Sequence, residues 1–243
     1  MNALLIAGTD TRVGKTVLMT ALAAYWQRYC LPRRLGMMKP VQCGTIDSSH
    51  SRDTVPSADA MGDRELYSRL FPLEQSLDEI NPVSFEADLV PAIAAERAGR
   101  WVELDKIWRQ YDRLTQQRDF VLVESSGGLG SPITRETTMA DLAWDWRLPT
   151  VLVVPVTQSA IVHAVANVAL ACRARIHLKG IILNCIQPCH RQEVDDWAPI
   201  DLLQSLTQKP VLGIIPHLIN PTDLSKLVQV ASNLDLERLM PIV

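Results

Sequence analysis

A lysine that follows an apolar strand and a glycine-containing loop is the first feature of this sequence that could do chemistry. The stretch LLIAGTDTRVGKT, residues 4–16, runs from an apolar segment through a polar loop into a helical pattern. Phosphate binding at such a place needs inward-facing backbone N–H groups, the positive end of a helix and a Lys that reaches the terminal phosphates. Lys15 supplies the ammonium, and the Thr16 hydroxyl suits Mg²⁺. The stretch predicts a nucleotide phosphate site, although Gly8 and Gly14 stand one residue further apart than in G-x-x-x-x-G-K-[ST].

A magnesium ion at this loop would need one or two carboxylates besides the phosphate oxygens. Glu124 ends the apolar run DFVLVE, so we expect its carboxylate at the carboxyl edge of a sheet, where ligands of open α/β folds gather. For the second carboxylate the residues leave Asp59 and Asp63 open, since both lie in or just after the polar, turn-rich stretch 44–62. Asp63 also suits a purely structural place at a helix N-terminus.

Lys39 stands inside the otherwise apolar run RLGMMKPV, residues 34–41. A Lys at such a place is expensive to bury unless it meets an anion. Pro40 marks the end of the strand, so the ammonium is predicted to face the same edge as the phosphate loop. The alternative is an edge-strand Lys that extends into solvent.

Apolar strand-like runs alternate with helical patterns along the whole chain. This alternation predicts an α/β, P-loop three-layer fold with a mostly parallel sheet covered by helices on both faces. No linker divides the chain, so residues 1–243 are expected to form a single domain. The predicted strands are 2–7, 34–41, 119–124, 150–156, 179–184 and 210–214. The predicted helices are 15–31, 63–71, 88–98, 104–116, 138–146, 159–175, 192–207 and 222–237.

The composition narrows the possible partners. The net charge is −3 and the isoelectric point about 6.0, which argues against a nucleic-acid partner. No apolar run approaches the length of about 18 residues that a membrane span requires. Five scattered cysteines indicate no disulfide framework, and no signal peptide is recognisable. We therefore expect a cytoplasmic protein without a membrane or nucleic-acid partner.

The loop GTDTRVGKT resembles the GTDT-x-VGKT phosphate loop of dethiobiotin synthetases. Other segments resemble that family in the same order from end to end, which is far more specific than any one motif. They are KPVQCG at 39–44, NPVSFEADLVPAIAAERAGR at 81–100, VLVESSGGLGSPIT at 121–134, GIILNC at 180–185 and VLGIIPHL at 211–218.

The resemblance assigns roles to individual residues. It implies that Lys39, Lys15 and Thr11 are catalytic. Lys39 would contact both a carbamate and the transferring phosphate, Lys15 would hold the β- and γ-phosphates, and Thr11 would hydrogen-bond substrate or product phosphate. It favours Asp63 over Asp59, because Asp63 keeps the family's spacing to the Asn-Pro pair at 81–82. The implied metal ligands are Thr16, Asp63 and Glu124, and the implied substrate contacts are Cys43 and Lys39. The implied nucleotide-binding residues are Arg12, Val13, Gly14, Lys15, Thr16, Val17, Asp63, Glu124, Gly127, Asn184, Pro216 and Leu218.

Within that set, Asn184 is expected to read the adenine edge, because an amide presents a donor and an acceptor in one plane. Pro216 and Leu218 would enclose the ring. The charge of Arg12 either contacts phosphate or faces water, and the sequence does not distinguish between these two roles.

Three departures from the family pattern stand out. The segment ESSGG, residues 124–128, replaces the family's EGAGG beside the metal and phosphates. We expect the same turn to form, because the substituted residues are also small. Cys43 stands where the family has a Ser or Thr, and a thiol is the weaker donor. Val162, in TQSAIVHAV, replaces an Asn that in the family contacts substrate across a dimer interface.

The implied activity is the ATP- and Mg²⁺-dependent conversion of 7,8-diaminononanoate and CO₂ to dethiobiotin, a C–N-forming ligase reaction through a carbamate and a carbamic-phosphoric anhydride. A homodimer is implied as well. Two alternatives remain. A partitioning-type ATPase switch would usually carry an extra Lys early in the loop, where Asp10 stands here. A carboxylate-activating amidoligase of the cobyrinate type would add a glutamine-hydrolysing domain, for which this chain has no room.

Overall fold

The computed structural model describes residues 2–44 and 62–241. Most of the polar stretch 44–62, including Asp59, therefore lies outside the described residues. The strands are Ala3–Gly8 (β1), Leu35–Met38 (β2), Val41–Cys43 (β3), Val83–Phe85 (β4), Phe120–Gly128 (β5), Thr150–Pro155 (β6), Leu178–Asn184 (β7) and Val211–Ile215 (β8). The helices are Lys15–Tyr29 (α1), Asp63–Leu70 (α2), Leu77–Ile80 (α3), Pro91–Arg97 (α4), Leu104–Gln117 (α5), Met139–Asp145 (α6), Ala160–Arg173 (α7), Arg191–Trp197 (α8), Ile200–Thr207 (α9), Leu224–Ser232 (α10) and Leu236–Leu239 (α11).

Six strands form one parallel sheet in the order β2-β5-β1-β6-β7-β8. Successive side chains of a strand point to opposite faces, and β1 accordingly divides its residues between two cores. Leu4 and Ile6 pack with α1 and α10 on one face, while Leu5 and Ala7 pack with α5, α6 and α7 on the other. The predicted fold class, a mostly parallel sheet covered on both faces, is confirmed.

The predicted strand 34–41 is wrong beyond Met38. Lys39 follows the end of β2, and its backbone N–H donates to the Ile80 carbonyl at 2.7 Å. Pro40 has no N–H to continue a ladder, so the chain leaves the main sheet there. It then forms β3, which pairs in parallel with β4 in a separate two-stranded sheet. β4 and the short helix α3 were not predicted from the sequence.

The predicted end of the 119–124 strand is also wrong. β5 continues to Gly128, and Glu124 pairs with Ile6 inside the sheet rather than at a strand end. The small residues that follow Glu124 allow this, because Gly8 can pair directly with Gly128.

Two predicted helices are each two shorter ones. The 192–207 segment divides between α8 and α9 at Pro199, which restricts the backbone of the residue before it. The 222–237 segment divides between α10 and α11, and the Asp235 side chain caps the second of these. No helix in the part of the chain that the structure describes has both the length and the apolar content to cross a bilayer.

Candidate active site

The phosphate loop occupies residues 9–14, between the end of β1 and the start of α1. Lys15, the first residue of α1, is buried, and its Nζ donates to the backbone carbonyl of Asp10 at 2.7 Å. Burial lowers the pKa of Lys15, the nearby ammonium of Lys39 adds to this, and the carboxylate of Glu124 opposes it. The loop thus folds around its own lysine at the positive end of α1.

Gly14 caps α1 in a left-handed conformation, with φ of 100°. A Cβ at this position would lie 1.9 Å from the Nδ2 atom of Asn184. That same Nδ2 donates to the backbone carbonyl of Val13 at 2.9 Å, and Asn184 is only 4% exposed. The last residue of β7 therefore supports the phosphate loop. The reading of the adenine edge by Asn184 stays a prediction.

Thr16 lies between two carboxylates that come from distant parts of the chain. Its Oγ1 is 3.3 Å from Oδ1 of Asp63 and 3.2 Å from Oε1 of Glu124. Asp63 is the first residue of α2. Its position at a helix N-terminus, which was the structural alternative, is therefore compatible with its contact to Thr16. A hydroxyl and two carboxylates beside a phosphate loop form an all-oxygen donor set that fits Mg²⁺. Within the described residues no group of three or more His, Cys, Asp or Glu side chains is placed to hold a metal ion.

Lys39 lies against the same two carboxylates. Its Nζ forms ion pairs with Asp63 and, at 3.1 Å, with Oε1 of Glu124. Burial alone would lower the pKa of Lys39, but the charges and hydrogen bonds of Glu124 and Asp63 outweigh it, so that pKa is raised. The side chain thus remains a cation at any physiological pH. Because Asp63 and Glu124 are anions, their attraction offsets the free-energy cost of removing the Lys39 ammonium from water.

Tyr67 is a further member of this group and was not predicted from the sequence. It lies in α2, four residues after Asp63, and is fully buried. Its hydroxyl donates to Oε2 of Glu124. Burial and the charge of Glu124 raise the pKa of Tyr67 well above its ordinary value, so the hydroxyl keeps its proton. Its one-turn spacing from Asp63 was the signal available in the sequence.

A cavity of about 730 Å³ opens beside these groups. Five predicted residues lie elsewhere: Val13, Val17 and Leu218 pack in or against the core, Asn184 lies behind the loop, and Pro216 borders a separate cavity of about 750 Å³. The predicted adenine-enclosing pair therefore does not share the cavity of the phosphate loop. The predicted site residues that line the 730 Å³ cavity are Thr11, Arg12, Gly14, Lys15, Thr16, Lys39, Cys43, Asp63, Glu124 and Gly127.

Arg12 and Cys43 also line this cavity. The Arg12 guanidinium lies 3.3 Å from the carboxylate of Asp88, and both side chains are largely exposed. This ion pair joins the phosphate loop to the segment after β4. Cys43 ends β3 and is half-buried. Burial raises its pKa to about 11, so at neutral pH it is an uncharged thiol.

Comparison with known proteins finds relatives that carry the same name and match most or all of the chain. The ATP-dependent dethiobiotin synthetase BioD of Gloeothece citriformis is 49% identical over 242 residues, which cover 100% of both chains. The same enzyme of Crocosphaera subtropica is 47% identical, with 98% of this chain and 100% of that one covered. That of Bacillus cereus is 32% identical, with 89% and 84% covered. This chain belongs to the dethiobiotin synthetase family. A family model described as an AAA domain also matches residues 2–223.

Solved structures share the fold of this dethiobiotin synthetase family member. The MinD cell division protein of Aquifex aeolicus superposes with a TM-score of 0.56 at 15% identity, covering 100% of this chain and 98% of the other. A ParA family ATPase of Chlorobium tepidum gives 0.53 at 11% identity, with 100% and 94% covered. At such identities the likeness shows the fold alone, and it confirms the predicted P-loop architecture.

The serines that depart from the family's EGAGG pattern have structural partners. The buried Ser125 hydroxyl donates to the carbonyl of Gly127 at 2.6 Å, and Ser126 donates to the carbonyl of Val41. The second bond ties β5 to β3, beside the cavity. Val162, the other departure, lies on α7 and is 68% exposed. It does not line the cavity within this chain.

Proposed function

We propose that the protein is an ATP-dependent dethiobiotin synthetase acting on 7,8-diaminononanoate and CO₂. Membership of the family makes the chain a ligase that forms C–N bonds. The observation that carries the proposal is Lys39, a largely buried cation held between Asp63 and Glu124 on the wall of the phosphate-loop cavity. An ammonium at this place can neutralise both a carbamate and the phosphoryl group during its transfer. The reaction requires this, because both groups carry negative charge.

The proposed reaction has three steps. One amine of the substrate adds to the carbon of CO₂ and loses a proton, which gives a carbamate. A carbamate oxygen then attacks the γ-phosphorus of ATP, the bond to the bridging oxygen breaks, and ADP leaves with that electron pair. The second amine attacks the carbonyl carbon of the mixed anhydride, phosphate leaves, and a proton is released as the ureido ring closes.

The residues of the chain serve this sequence by position and charge. Lys15 lies at the N-terminus of α1, where it would bind the β- and γ-phosphates together with the loop N–H groups. Lys39 keeps its proton because two carboxylates stabilise the ammonium, so it acts as a hydrogen-bond donor and not as a base. Thr11 borders the cavity and would donate to substrate or product phosphate. The reaction needs no covalent nucleophile.

Magnesium would be held by Thr16, Asp63 and Glu124, and when bound it would offset charge on the phosphate oxygens. The Thr16 hydroxyl contacts both carboxylates, which supports the assignment. Lys39 shares both carboxylates with this set, so the residues that neutralise the phosphoryl group form one contiguous group.

The remaining parts of the proposal are broader. We propose a single synthetase domain over residues 1–243, a homodimer, a cytoplasmic location, and no membrane or nucleic-acid partner. The uncharged Cys43 thiol would border the diamine, and Arg12 would lie beside the nucleotide. Pro216 and Leu218 would enclose the adenine, with Asn184 at its edge.

The partitioning-type ATPase switch is the main alternative. The likeness to MinD and ParA proteins does not favour it, because identities of 11–15% carry only the fold. Asp10 stands where such switches usually carry the extra Lys, and its carbonyl is the acceptor for Lys15.

The deciding experiment measures phosphate release from ATP and Mg²⁺ with bicarbonate, with and without the diamine. We expect release to depend on the diamine, with dethiobiotin detected by mass spectrometry at one equivalent per phosphate. Release that is the same without the diamine would favour the switch. Release that instead requires a carboxylic acid and an amine donor would favour the amidoligase alternative.

A further inference from the structure

We propose that Tyr67 is a positioning residue for Glu124: its hydroxyl fixes one carboxylate oxygen so that the other faces the proposed metal site. The inference rests on the metal site of the proposed function and extends it by a residue outside the predicted site. Tyr67 itself does not line the cavity, so it would act through Glu124 and not on substrate.

The two oxygens of Glu124 have different partners. Oε1 lies 3.2 Å from the Thr16 hydroxyl and 3.1 Å from Nζ of Lys39, on the cavity side. Oε2 accepts from the Tyr67 hydroxyl. Glu124 is only 1% exposed, so water has little access to replace a lost partner. The carboxylate is thus fixed in one orientation, with Oε1 toward the residues that would bind Mg²⁺.

Helix α2 links this contact to the second carboxylate. Asp63 and Tyr67 are four residues apart, so they lie on the same face of the helix, one turn apart. Tyr67 is the single buried residue among the eight of α2, all of which the structure describes. The bond from Tyr67 to Glu124 therefore also holds the start of α2, and with it Asp63, against β5. The Tyr67 hydroxyl thus adds to Lys39 and Thr16, which bond both carboxylates on the cavity side, a contact that holds Glu124 from the opposite side.

Removing the hydroxyl should weaken metal binding without removing a ligand. In Tyr67→Phe the ring still fills its place in the core, but Oε2 of Glu124 loses its donor and the carboxylate can rotate. Residues that orient metal ligands typically change metal affinity about 10- to 100-fold when they are substituted. We expect a loss in that range for the divalent ion and little change in KM for the diamine.

The experiment titrates Mn²⁺, detected by electron paramagnetic resonance, into the full chain with the β,γ-imido analogue of ATP. Tyr67→Phe is compared with Tyr111→Phe, a control that removes the hydroxyl of another buried tyrosine far from the cavity. We expect the Mn²⁺ dissociation constant to rise at least 10-fold in Tyr67→Phe and to stay unchanged in Tyr111→Phe. An unchanged constant in Tyr67→Phe, with or without a lower melting temperature, would overturn the inference.

A double variant tests whether Tyr67 acts through Glu124. If it does, Tyr67→Phe should cause little further loss of Mn²⁺ affinity on a Glu124→Gln background, whereas an equal further loss contradicts the inference. Should Tyr67→Phe alone fail to fold, recovery of soluble protein in the double variant would support the pairing, and failure to recover would overturn it. None of these readings uses the diamine, so failure of the proposed function would be seen separately.

Discussion

The side-chain amide of Asn184 donates a hydrogen bond of 2.9 Å to the backbone carbonyl of Val13, and so joins the end of β7 to the phosphate loop. The amide also occupies the space that a Cβ at Gly14 would need. The loop conformation thus depends on a residue 171 positions away, and not only on its own sequence. This relationship leaves no room for a Cβ at Gly14.

Gly14→Ala should therefore abolish most nucleotide binding. The new methyl would overlap the Asn184 amide, and φ of 100° is itself unfavourable for an L-residue. Gly99→Ala is the matched control, because Gly99 also has positive φ but nothing lies within 4 Å of its Cβ position. We expect Gly99→Ala to cost about 1 kcal/mol of unfolding free energy and leave ATP affinity unchanged, as measured by calorimetry. Equal ATP affinities in the two variants would contradict the steric argument.

Lys39→Gln should lower kcat at least about 100-fold, the usual effect of removing one donor that stabilises transition-state charge. Because ATP is bound chiefly by the phosphate loop, its dissociation constant should change little. The exposed Lys226, on α10, provides the control substitution Lys226→Gln, which should leave both quantities unchanged. A variant at Lys39 that loses ATP affinity but keeps kcat would mean that its role is binding and not catalysis.

Stability should also fall in Lys39→Gln, since the substitution leaves Asp63 and Glu124 facing each other without their cation. Breaking a buried ion pair by removing one partner typically costs about 3–5 kcal/mol. We expect the lower part of that range, because Asp63 is 27% exposed and Lys15 lies nearby. Denaturant unfolding measures the change, and a loss below about 1 kcal/mol would contradict the burial argument.

Asp63→Asn should raise the Mg²⁺ concentration needed for half-maximal turnover by about 10-fold or more. The amide still contacts Thr16 but no longer brings a charge to the metal. The control is Asp78→Asn, whose side chain is 87% exposed and pairs only with Arg64, at 3.6 Å, among the described residues. If Asp59→Asn raised the requirement and Asp63→Asn did not, the assignment of the second carboxylate would be reversed.

Cys43 should react slowly with iodoacetamide at neutral pH. Raising the thiol pKa from the ordinary 9.0 to about 11 leaves about 100-fold less of the reactive thiolate at pH 7. Because the pKa is raised, labelling should accelerate as the pH increases toward 11, and ATP with the diamine should slow it. Peptide mass spectrometry can compare it with Cys172, which is exposed on α7. Equal labelling of both at pH 7 would contradict the raised pKa.

The sequence alone determined the fold class and the phosphate loop. Both depend on local patterns: nearly continuous apolar runs predict strands covered on both faces, and Gly14, Lys15 and Thr16 follow an apolar strand after a short polar loop. The order of several family-like segments also indicated the family. Local patterns failed at interruptions, since Pro40 and Pro199 change the chain direction within runs that look continuous.

The assembly of the site depends on contacts between elements that are distant in the chain. Lys39, Tyr67 and Glu124 come from the end of β2, from α2 and from β5, and the hydroxyl of Tyr67 reaches a carboxylate 57 residues later in the chain. The structure also separated Pro216 from the cavity that Lys15 lines. Sequence spacing limits which residues share a strand or a helix face. Contacts between elements depend on sheet order and on the packing of each helix, which no local pattern encodes.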